Sequence, residues 1–136
     1  MTLRVRWVWV AGAAALVVLT GCGQVSRRED AAAAVAAGFE DAAGRSDAAA
    51  VCGTLAPGTR EELEDQEKAD CEQALAQVDL PAGGPVRRVD VFGQQARVVL
   101  EGDTLLLSVF PDGWKVTAAG CEPRDQRPYQ CEIKGA

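Results

Sequence analysis

The spacing of hydrophobic and polar positions changes along the chain, and each change predicts a different kind of element. Residues 7–19 are 13 consecutive apolar or small residues. Between residues 26 and 78, apolar residues recur three and four positions apart, as on one face of a helix. Between residues 86 and 120, apolar and polar residues alternate in short runs, as in half-buried strands. The pattern therefore predicts an apolar leader, then helices, then a sheet.

Three helices are predicted in the first half. The first covers 26–44, where Ser26 and the glutamate three residues later have the spacing of a capping box. The second covers 46–55, is capped by Ser46 or the aspartate after it, and ends at a Pro-Gly pair. The third covers 59–78 and begins at another capping pattern. The helices thus occupy most of the chain between the leader and the first strand.

Four strands are predicted in the second half, in the runs 86–93, 95–102, 104–111 and 114–120. The turns between them carry Gly-Gln, Gly-Asp and Pro-Asp-Gly, which favour tight connections between antiparallel neighbours. Helices that precede a meander of strands indicate an α+β domain. We therefore expect three N-terminal helices packed on one face of a curved four-stranded antiparallel sheet.

The leader carries a signal for export. Residues 1–6 are short and basic, and the 13 apolar residues after them fall short of the roughly 20 that span a membrane. The run ends in "LTGC" (residues 19–22), which resembles the lipobox of bacterial lipoproteins. Small residues there let a peptidase approach the backbone, and the thiol of Cys22 is the nucleophile that takes a lipid. The alternatives are an uncleaved anchor and an ordinary signal peptide.

The lipobox resemblance implies a domain organisation and an address. Residues 1–21 would be a signal peptide that is cleaved before Cys22, and Cys22 would carry a diacylglyceryl group. Residues 22–28 would form the lipidated N-terminus and a short tether, and 29–136 a single α+β domain. The protein would then be held by acyl chains on the extracytoplasmic face of the cell membrane. Arg27 and Arg28 lie in the tether, either against anionic head groups or as part of a solubilising linker.

Charge and composition exclude several classes of function. The chain has a net charge of −6, and loss of the leader with Arg4 and Arg6 leaves 12 basic and 20 acidic residues, a net charge of −8. Nucleic acid is not an expected partner, because such proteins need a basic surface. There is no histidine, the commonest metal ligand and general base. The acidic run 60–70 lacks the spacing of a calcium loop, so we predict no metal and no cofactor.

Four cysteines remain besides Cys22, and an even number in an exported domain indicates disulfides. Three connectivities are possible. We favour Cys52 with Cys71 and Cys121 with Cys131, because each pair is close in sequence and each lies in its own structural region.

A second resemblance concerns the domain itself. The order of elements, with "DGWKV" (112–116), "GCEP" (120–123) and "PYQC" (128–131), resembles small lipoproteins of GC-rich Gram-positive bacteria. These look like members of the nuclear transport factor two-like superfamily, which includes ketosteroid isomerase and SnoaL-type polyketide cyclases. The resemblance covers about residues 29–134 and implies a cone around an apolar pocket. Together with the helical and strand spacing of apolar residues, this resemblance makes six residues candidates for the pocket lining: Phe39, Leu63, Leu75, Val98, Leu107 and Trp114.

The catalytic residues of that superfamily do not carry over to this chain. Its isomerases use a buried acid and a tyrosine, but the one tyrosine here, Tyr129, lies in the cysteine-flanked tail. Asp90 alternates in step with Arg88, which places it on the solvent face of its strand. We therefore predict no catalytic residue, and a non-catalytic module that binds a small apolar ligand or a membrane partner. The alternative is a lyase- or isomerase-like enzyme, which a carboxyl group without a partner inside the pocket would favour.

Overall fold

The computed structural model describes residues 22–135, in which four helices precede five strands. The helices are α1 (Cys22–Gly44), α2 (Ala48–Thr54), α3 (Pro57–Glu67) and α4 (Cys71–Leu75). The strands are β1 (Val86–Phe92), β2 (Gln95–Leu100), β3 (Thr104–Phe110), β4 (Gly113–Arg124) and β5 (Arg127–Lys134). Each strand pairs with the next in antiparallel register, so the sheet order is the chain order. The predicted α+β class and the antiparallel meander are confirmed, but the predicted numbers of helices and strands are each one too low.

Helix α1 begins earlier than the sequence predicted. It starts at Cys22, so residues 22–28, which we expected to form a tether, are helical. No proline interrupts this stretch, and the Nε of Arg27 donates to the carbonyl of Gly23 one turn back, at 3.2 Å. At the other end, α1 stops at Gly44 and the chain turns through a left-handed residue, Ser46. The predicted signal peptide, 1–21, lies outside the described residues.

The predicted third helix is in fact two helices. The chain leaves α3 at Lys68, whose φ is 53°, and α4 begins after Asp70, whose carboxylate accepts from the N–H of Gln73 at 3.0 Å. No glycine or proline marks this break in the sequence. The break places Cys71 in the core, where it is fully buried and bonded to Cys52. A tertiary constraint therefore ends a helix that local propensity would have continued.

The start of α3 also differs from the prediction. Pro57 is the first helical residue, a position where its missing N–H costs nothing. Thr59 does not cap the helix, because it is buried and its hydroxyl donates to the carbonyl of Thr117 at 3.0 Å. The N–H of Ala56 donates to the carbonyl of Val116 at 2.8 Å. The residues that looked like a cap instead attach the helices to β4.

The predicted cysteine-flanked tail is a fifth strand. Strand β4 continues past residue 120 to Arg124, and β5 runs back along it. Prolines and the lack of alternation hide this strand in the sequence. Cys121 and Cys131 are directly opposite each other in the register and form a disulfide, so the covalent bond and the strand pairing specify the same hairpin.

The core lies between the helices and one side of the sheet. Helix α1 contacts β1, β2 and β4, and α3 contacts β4 and β5. Alanines on the sheet-facing side of α1, Ala32 and Ala36, are completely buried and allow a close approach. The largest fully buried side chains are Phe39, Val98, Leu105, Leu107, Val116 and Ile133. Burial of each such side chain contributes about 1.5–3 kcal/mol, and this packing fixes α1 across the sheet.

The Cys52–Cys71 disulfide joins the two shortest helices. Cys52 on α2 is bonded to Cys71 on α4 with a Cα–Cα distance of 6.1 Å. These helices have 7 and 5 residues, and helices this short are not stable alone in water. Both disulfides thus have the pairing that the sequence favoured, and each fixes a separate part of the fold.

Candidate functional site

A large cavity lies at one end of the described domain. Its volume is about 970 Å³, and it is lined by the C-terminal half of α1, the start of α2, α4 and the segment 76–85 that leads to β1. The apolar side chains in its wall are Val51, Leu75, Val78, Leu80, Pro81, Pro85 and Val86. This volume is at the upper end of the roughly 300–1,000 Å³ that is typical of small-molecule sites.

Most of the predicted pocket residues lie elsewhere. Of the six candidates, Leu75 lines this cavity, and Leu107 lines a second cavity of about 250 Å³ against β2, β3 and β4. The other four, Phe39, Leu63, Val98 and Trp114, line neither cavity and are buried in the core. Apolar side chains on matching faces of helices and strands pack against one another, so the periodicity identified the core. The large cavity forms where these elements end.

A carboxyl group, Glu40, lies in the wall of the large cavity. It is half-buried, and the loop before β1 packs directly against it. A Cβ atom on Gly83 would overlap the Cδ of Glu40, so a larger residue there would require the Glu40 side chain or the loop to move. The loop is fixed from its other side by Gly102, whose N–H donates to the carbonyl of Gly83 at 2.7 Å. Two glycines therefore allow the backbone to cover Glu40.

The surroundings of Glu40 favour its protonated form. The pKa of this carboxyl is raised from 4.5 to about 8, first by burial and then by a hydrogen bond to Asp103 and by the negative charge of Asp103. A backbone hydrogen bond from Gly83 lowers the pKa, but by less. Among the described residues no hydrogen-bond partner reaches the buried Oε1 of an ionised Glu40. A proton on the carboxyl can supply the hydrogen bond to Asp103.

The partner, Asp103, is a buried structural carboxylate. Its Oδ1 accepts from the N–H of Thr104 at 2.7 Å and from that of Cys121 at 3.1 Å. Its Oδ2 accepts from the N–H of Gly120 at 3.0 Å. Asp103 therefore ties the β2–β3 turn to the middle of β4 and is held in a fixed position against Glu40. The chain thereby presents one protonated carboxyl at the cavity, backed by one carboxylate.

The sequence did not reveal this pair. The sequence analysis places Glu40 inside the predicted helix 26–44 and Asp103 in the Gly-Asp turn, and it assigns a role to neither. The two are far apart in the chain, and no local pattern connects them. The one available signal is position, because Glu40 directly follows the core residue Phe39 and so lies at the edge of the buried face of α1.

Asp90 and Tyr129 belong to a different network. The Asp90 carboxylate accepts from Arg97 at 2.7 Å and from Arg88 at 2.9 Å. These hydrogen bonds, that from Arg97 first, lower the pKa of Asp90. Arg97 also donates to the hydroxyl of Tyr129 at 3.4 Å. Asp90 is thus less exposed than the strand pattern predicted, and none of these side chains lines the cavity beside Glu40.

Within residues 22–135, no group of three or more histidine, cysteine, aspartate or glutamate side chains is arranged to hold a metal ion. None of the helices in this range has the length and apolar character needed to cross a membrane.

Three features define the candidate site: the cavity, its apolar wall and the carboxyl pair of Glu40 and Asp103. No protein-family model, no curated protein and no solved structure matches this chain.

Proposed function

We propose that this protein is a lipid-anchored extracytoplasmic module that binds a small, largely apolar molecule in the large cavity. The observation that carries the proposal is the cavity itself, with a volume of about 970 Å³ and a wall rich in alanine, valine, leucine and proline. Six of the lining residues are charged, and of these Arg45 pairs with Asp41 at 3.1 Å. In small-molecule sites, desolvation of the ligand against the apolar part of the wall supplies affinity, and polar groups orient the ligand.

The proposed lipid-anchored, extracytoplasmic location is based on the sequence. The "LTGC" motif follows a short apolar run, as it does in lipoproteins that carry a lipid on the cysteine, here Cys22. Two disulfides suit a protein exported to an oxidising compartment. Membership of the nuclear transport factor two-like superfamily is part of the same proposal. It is supported by helices that precede an antiparallel sheet and pack against it, although the cavity lies at the end of the helices and not among the core side chains.

The chemistry of Glu40 narrows the class of ligand. Because its pKa is about 8, Glu40 is mostly uncharged at neutral pH and offers one hydroxyl and one carbonyl oxygen. A neutral polar group on an otherwise apolar ligand can exchange hydrogen bonds with it. A ligand carboxylate at that position would be repelled by Asp103 behind it. We therefore expect a molecule with an apolar body and a hydroxyl, carbonyl or amide group.

Native mass spectrometry of the lipidated protein, purified from its own membranes, tests this proposal. Ala37 lines the cavity and is exposed, so the new side chain in Ala37→Phe narrows the cavity without entering the core. Ala34 is exposed on the same helix and does not line the cavity, so Ala34→Phe is the matched control. We expect a bound mass in the wild type and in Ala34→Phe that is lost in Ala37→Phe. A wild type without a bound mass, or an Ala37→Phe variant that keeps it, would contradict the proposal.

A second candidate function is favoured by the raised pKa of Glu40. A carboxyl with a pKa of about 8 beside a cavity is suited to donate or abstract a proton at neutral pH, as in an isomerase or a lyase. We favour binding over catalysis because Glu40 already has a structural partner in Asp103. Asp103 in turn accepts hydrogen bonds from three backbone N–H groups. If the retained ligand is converted on incubation with wild type, and Glu40→Gln retains the ligand unchanged, the enzymatic candidate replaces the binding one.

A further inference from the structure

One end of the domain carries exposed apolar side chains. Among the described residues, the large hydrophobic side chains with high exposure are Phe92 at 63%, Val25 at 52% and Val109 at 36%. They belong to three separate segments: the end of β1, the first turns of α1 and the end of β3. Phe92 is in register with Gln95 and Ser108, so it lies on the opposite face of the sheet from Val109, which follows Ser108 and pairs with Trp114. The three side chains therefore surround one end of the domain, and exposed apolar side chains at one end indicate a surface that is covered when the protein functions.

Contacts between the three segments place these side chains at the same end. The guanidinium of Arg28 donates to the carbonyl of Gly93, directly after Phe92, and lies 5.5 Å from the ring centre of Trp114. Trp114 is the register partner of Val109, and the N–H of Val109 donates to the carbonyl of Gln94 at 2.9 Å. Arg28 therefore connects α1 to the β1–β2 turn and to the β3–β4 hairpin.

Val25 lies just beyond this junction. It precedes Arg28 by three residues on α1, a rise of about 4.5 Å. Cys22 precedes Val25 by another three residues, so the chain leaves the described domain at this end. The 13 apolar residues 7–19 are joined to the domain here. In the lipoprotein interpretation, the acyl chains on Cys22 are attached here as well.

We propose that the anchor end, defined by Val25, Phe92 and Val109, docks on the phospholipid bilayer with the Phe92 side chain inserted at the interface. The inference rests on the anchoring part of the proposed function and specifies which surface faces the lipid. The attachment point favours lipid over a protein partner, because Cys22 lies only six residues, or about 9 Å along an intact α1, from Arg28, which contacts the turn after Phe92. Exposed phenylalanine and valine gain from burial at that boundary.

The distribution of charge agrees with this orientation. Arg27 and Arg28 are at the anchor end, where each basic residue near an anionic surface contributes about 1 kcal/mol. Lys115 nearby is paired with Asp112 at 3.1 Å and adds little net charge. The chain from Cys22 onwards has a net charge of −8, so an anionic membrane repels its other faces. Glu29 and Asp30 follow the two arginines directly, so the first turns of α1 carry no net charge, and an anionic membrane repels this end less than the rest of the chain.

The docked orientation determines how a ligand reaches the cavity. The cavity wall on α1 begins at Ala37, twelve residues after Val25, which is about 18 Å along the helix. The cavity therefore lies at the end of α1 away from the bilayer. A ligand would enter it from the aqueous side and not by lateral movement out of the lipid.

Fluorescence quenching by brominated lipids tests the docking surface. Trp114 is the one tryptophan after Cys22, so an added tryptophan is measured against a constant background. We would compare Phe92→Trp with Ala49→Trp, an exposed position on α2 beside the cavity, in lipidated protein reconstituted in phosphatidylcholine–phosphatidylglycerol vesicles with brominated acyl chains. We expect quenching at position 92 to exceed that at position 49 by about twofold or more. Circular dichroism would verify that both variants keep the wild-type fold.

Detergent partitioning of the same samples tests the proposed lipid anchor separately from the proposed docking surface. If the protein enters the detergent phase but both tryptophans are quenched equally, the docking surface is wrong while the anchor stands. The apolar anchor end would then belong to a protein partner. If the protein stays in the aqueous phase, both the anchor and the docking surface are overturned.

Discussion

Glu40 and Phe39 are neighbours on α1 with opposite environments. Phe39 is buried in the core, and Glu40 lines the cavity, where the segment that contains Gly83 packs against it. The carboxyl of Glu40 loses water on the loop side and meets a second carboxylate, Asp103, on the sheet side. Both effects act against ionisation, and as a result the fold holds a proton that the unfolded chain would release at neutral pH.

This proton predicts a dependence of stability on pH. The pKa of Glu40 is about 8 in the folded protein and 4.5 in an ordinary environment, so the native state binds more protons between these values. The free energy of unfolding should therefore fall as pH rises from 4.5 to 8 and then level off. Because Glu40 is only half-buried, we expect a contribution of about 1–3 kcal/mol over this interval and not the full value of the shift.

Urea denaturation at pH 5, 7 and 9 checks this prediction with Glu40→Gln, which keeps the shape of the side chain and removes its titration. We expect the decline in stability between pH 5 and pH 9 to be smaller in Glu40→Gln than in wild type. Glu72→Gln, at the exposed rim of the cavity, controls for the loss of one carboxyl. Parallel pH profiles for wild type and Glu40→Gln would contradict the protonated state of Glu40.

Gly83 makes a second prediction at the residue scale. A Cβ atom there would lie 2.4 Å from the Cδ of Glu40, so Gly83→Ala forces the loop or the carboxyl to move. We expect a loss of about 1–3 kcal/mol in urea denaturation, as for other overpacked sites. In Gly58→Ala, the matched control on α3, the new Cβ meets no atom within 4 Å, and we expect little change.

The physical cause of the Gly83 effect can be isolated with a double-mutant cycle. Glu40→Ala removes the atoms that the new Cβ would meet, so Gly83→Ala should cost less in that background. Equal costs in the two backgrounds would show that the effect of Gly83→Ala does not pass through Glu40.

At the scale of elements, the two disulfides stabilise very different structures. Cys52–Cys71 joins two helices that have only 7 and 5 residues and no continuous backbone pairing with each other. Cys121–Cys131 joins two strands that already pair along much of their length. The first bond closes 19 residues and the second 10, so the chain-entropy model assigns about 3 kcal/mol to each and slightly more to the first.

We therefore predict unequal effects when each disulfide is replaced by a pair of serines. Cys52→Ser with Cys71→Ser should lower the free energy of unfolding by about 3 kcal/mol or more, because α2 and α4 lose their link and the cavity wall loosens. Cys121→Ser with Cys131→Ser should lower it less, because the hairpin retains its backbone hydrogen bonds. Urea denaturation of the two variants checks the order, and the reverse order would contradict this account.

At the scale of the whole molecule, α1 connects two ends with different properties. Its first turns carry the exposed Val25 and contact the turn that follows the exposed Phe92. Its last turns form the cavity wall around Glu40. Since helix α1 is continuous over 23 residues, it holds the cavity at a fixed distance from Cys22, the proposed point of attachment. A continuous helix in place of a flexible tether also limits the orientations that the domain can adopt at a membrane.

The anchor itself is tested by Cys22→Ala. In the lipoprotein interpretation, wild type lacks residues 1–21 and carries a diacylglyceryl group on Cys22, and the variant is neither acylated nor cleaved. Intact mass spectrometry of protein from the native host distinguishes these forms directly. Gln24→Ala leaves the "LTGC" motif unchanged and should be processed like wild type. An unmodified Cys22 in the wild type would rule out the lipid anchor.

The sequence by itself determined the features that depend on neighbouring residues. The period of apolar positions distinguished helices from strands and identified core residues such as Phe39 and Val98. Turn residues indicated the antiparallel connections, and short separations favoured the disulfide pairing that the structure contains. These features are local because helical and strand periodicity, turn geometry and short-loop closure all act over a few residues to about twenty.

The tertiary structure decided what depends on residues far apart in the chain. The break after Lys68 follows from burial of Cys71, and the fifth strand follows from its pairing with β4. The cavity exists because the ends of several elements and one loop meet around a space that their side chains do not fill. The protonated Glu40 needs Asp103 on one side and Gly83 on the other, and no local pattern encodes that meeting. Burial and charge act through space, so the candidate site appears only when the chain is folded.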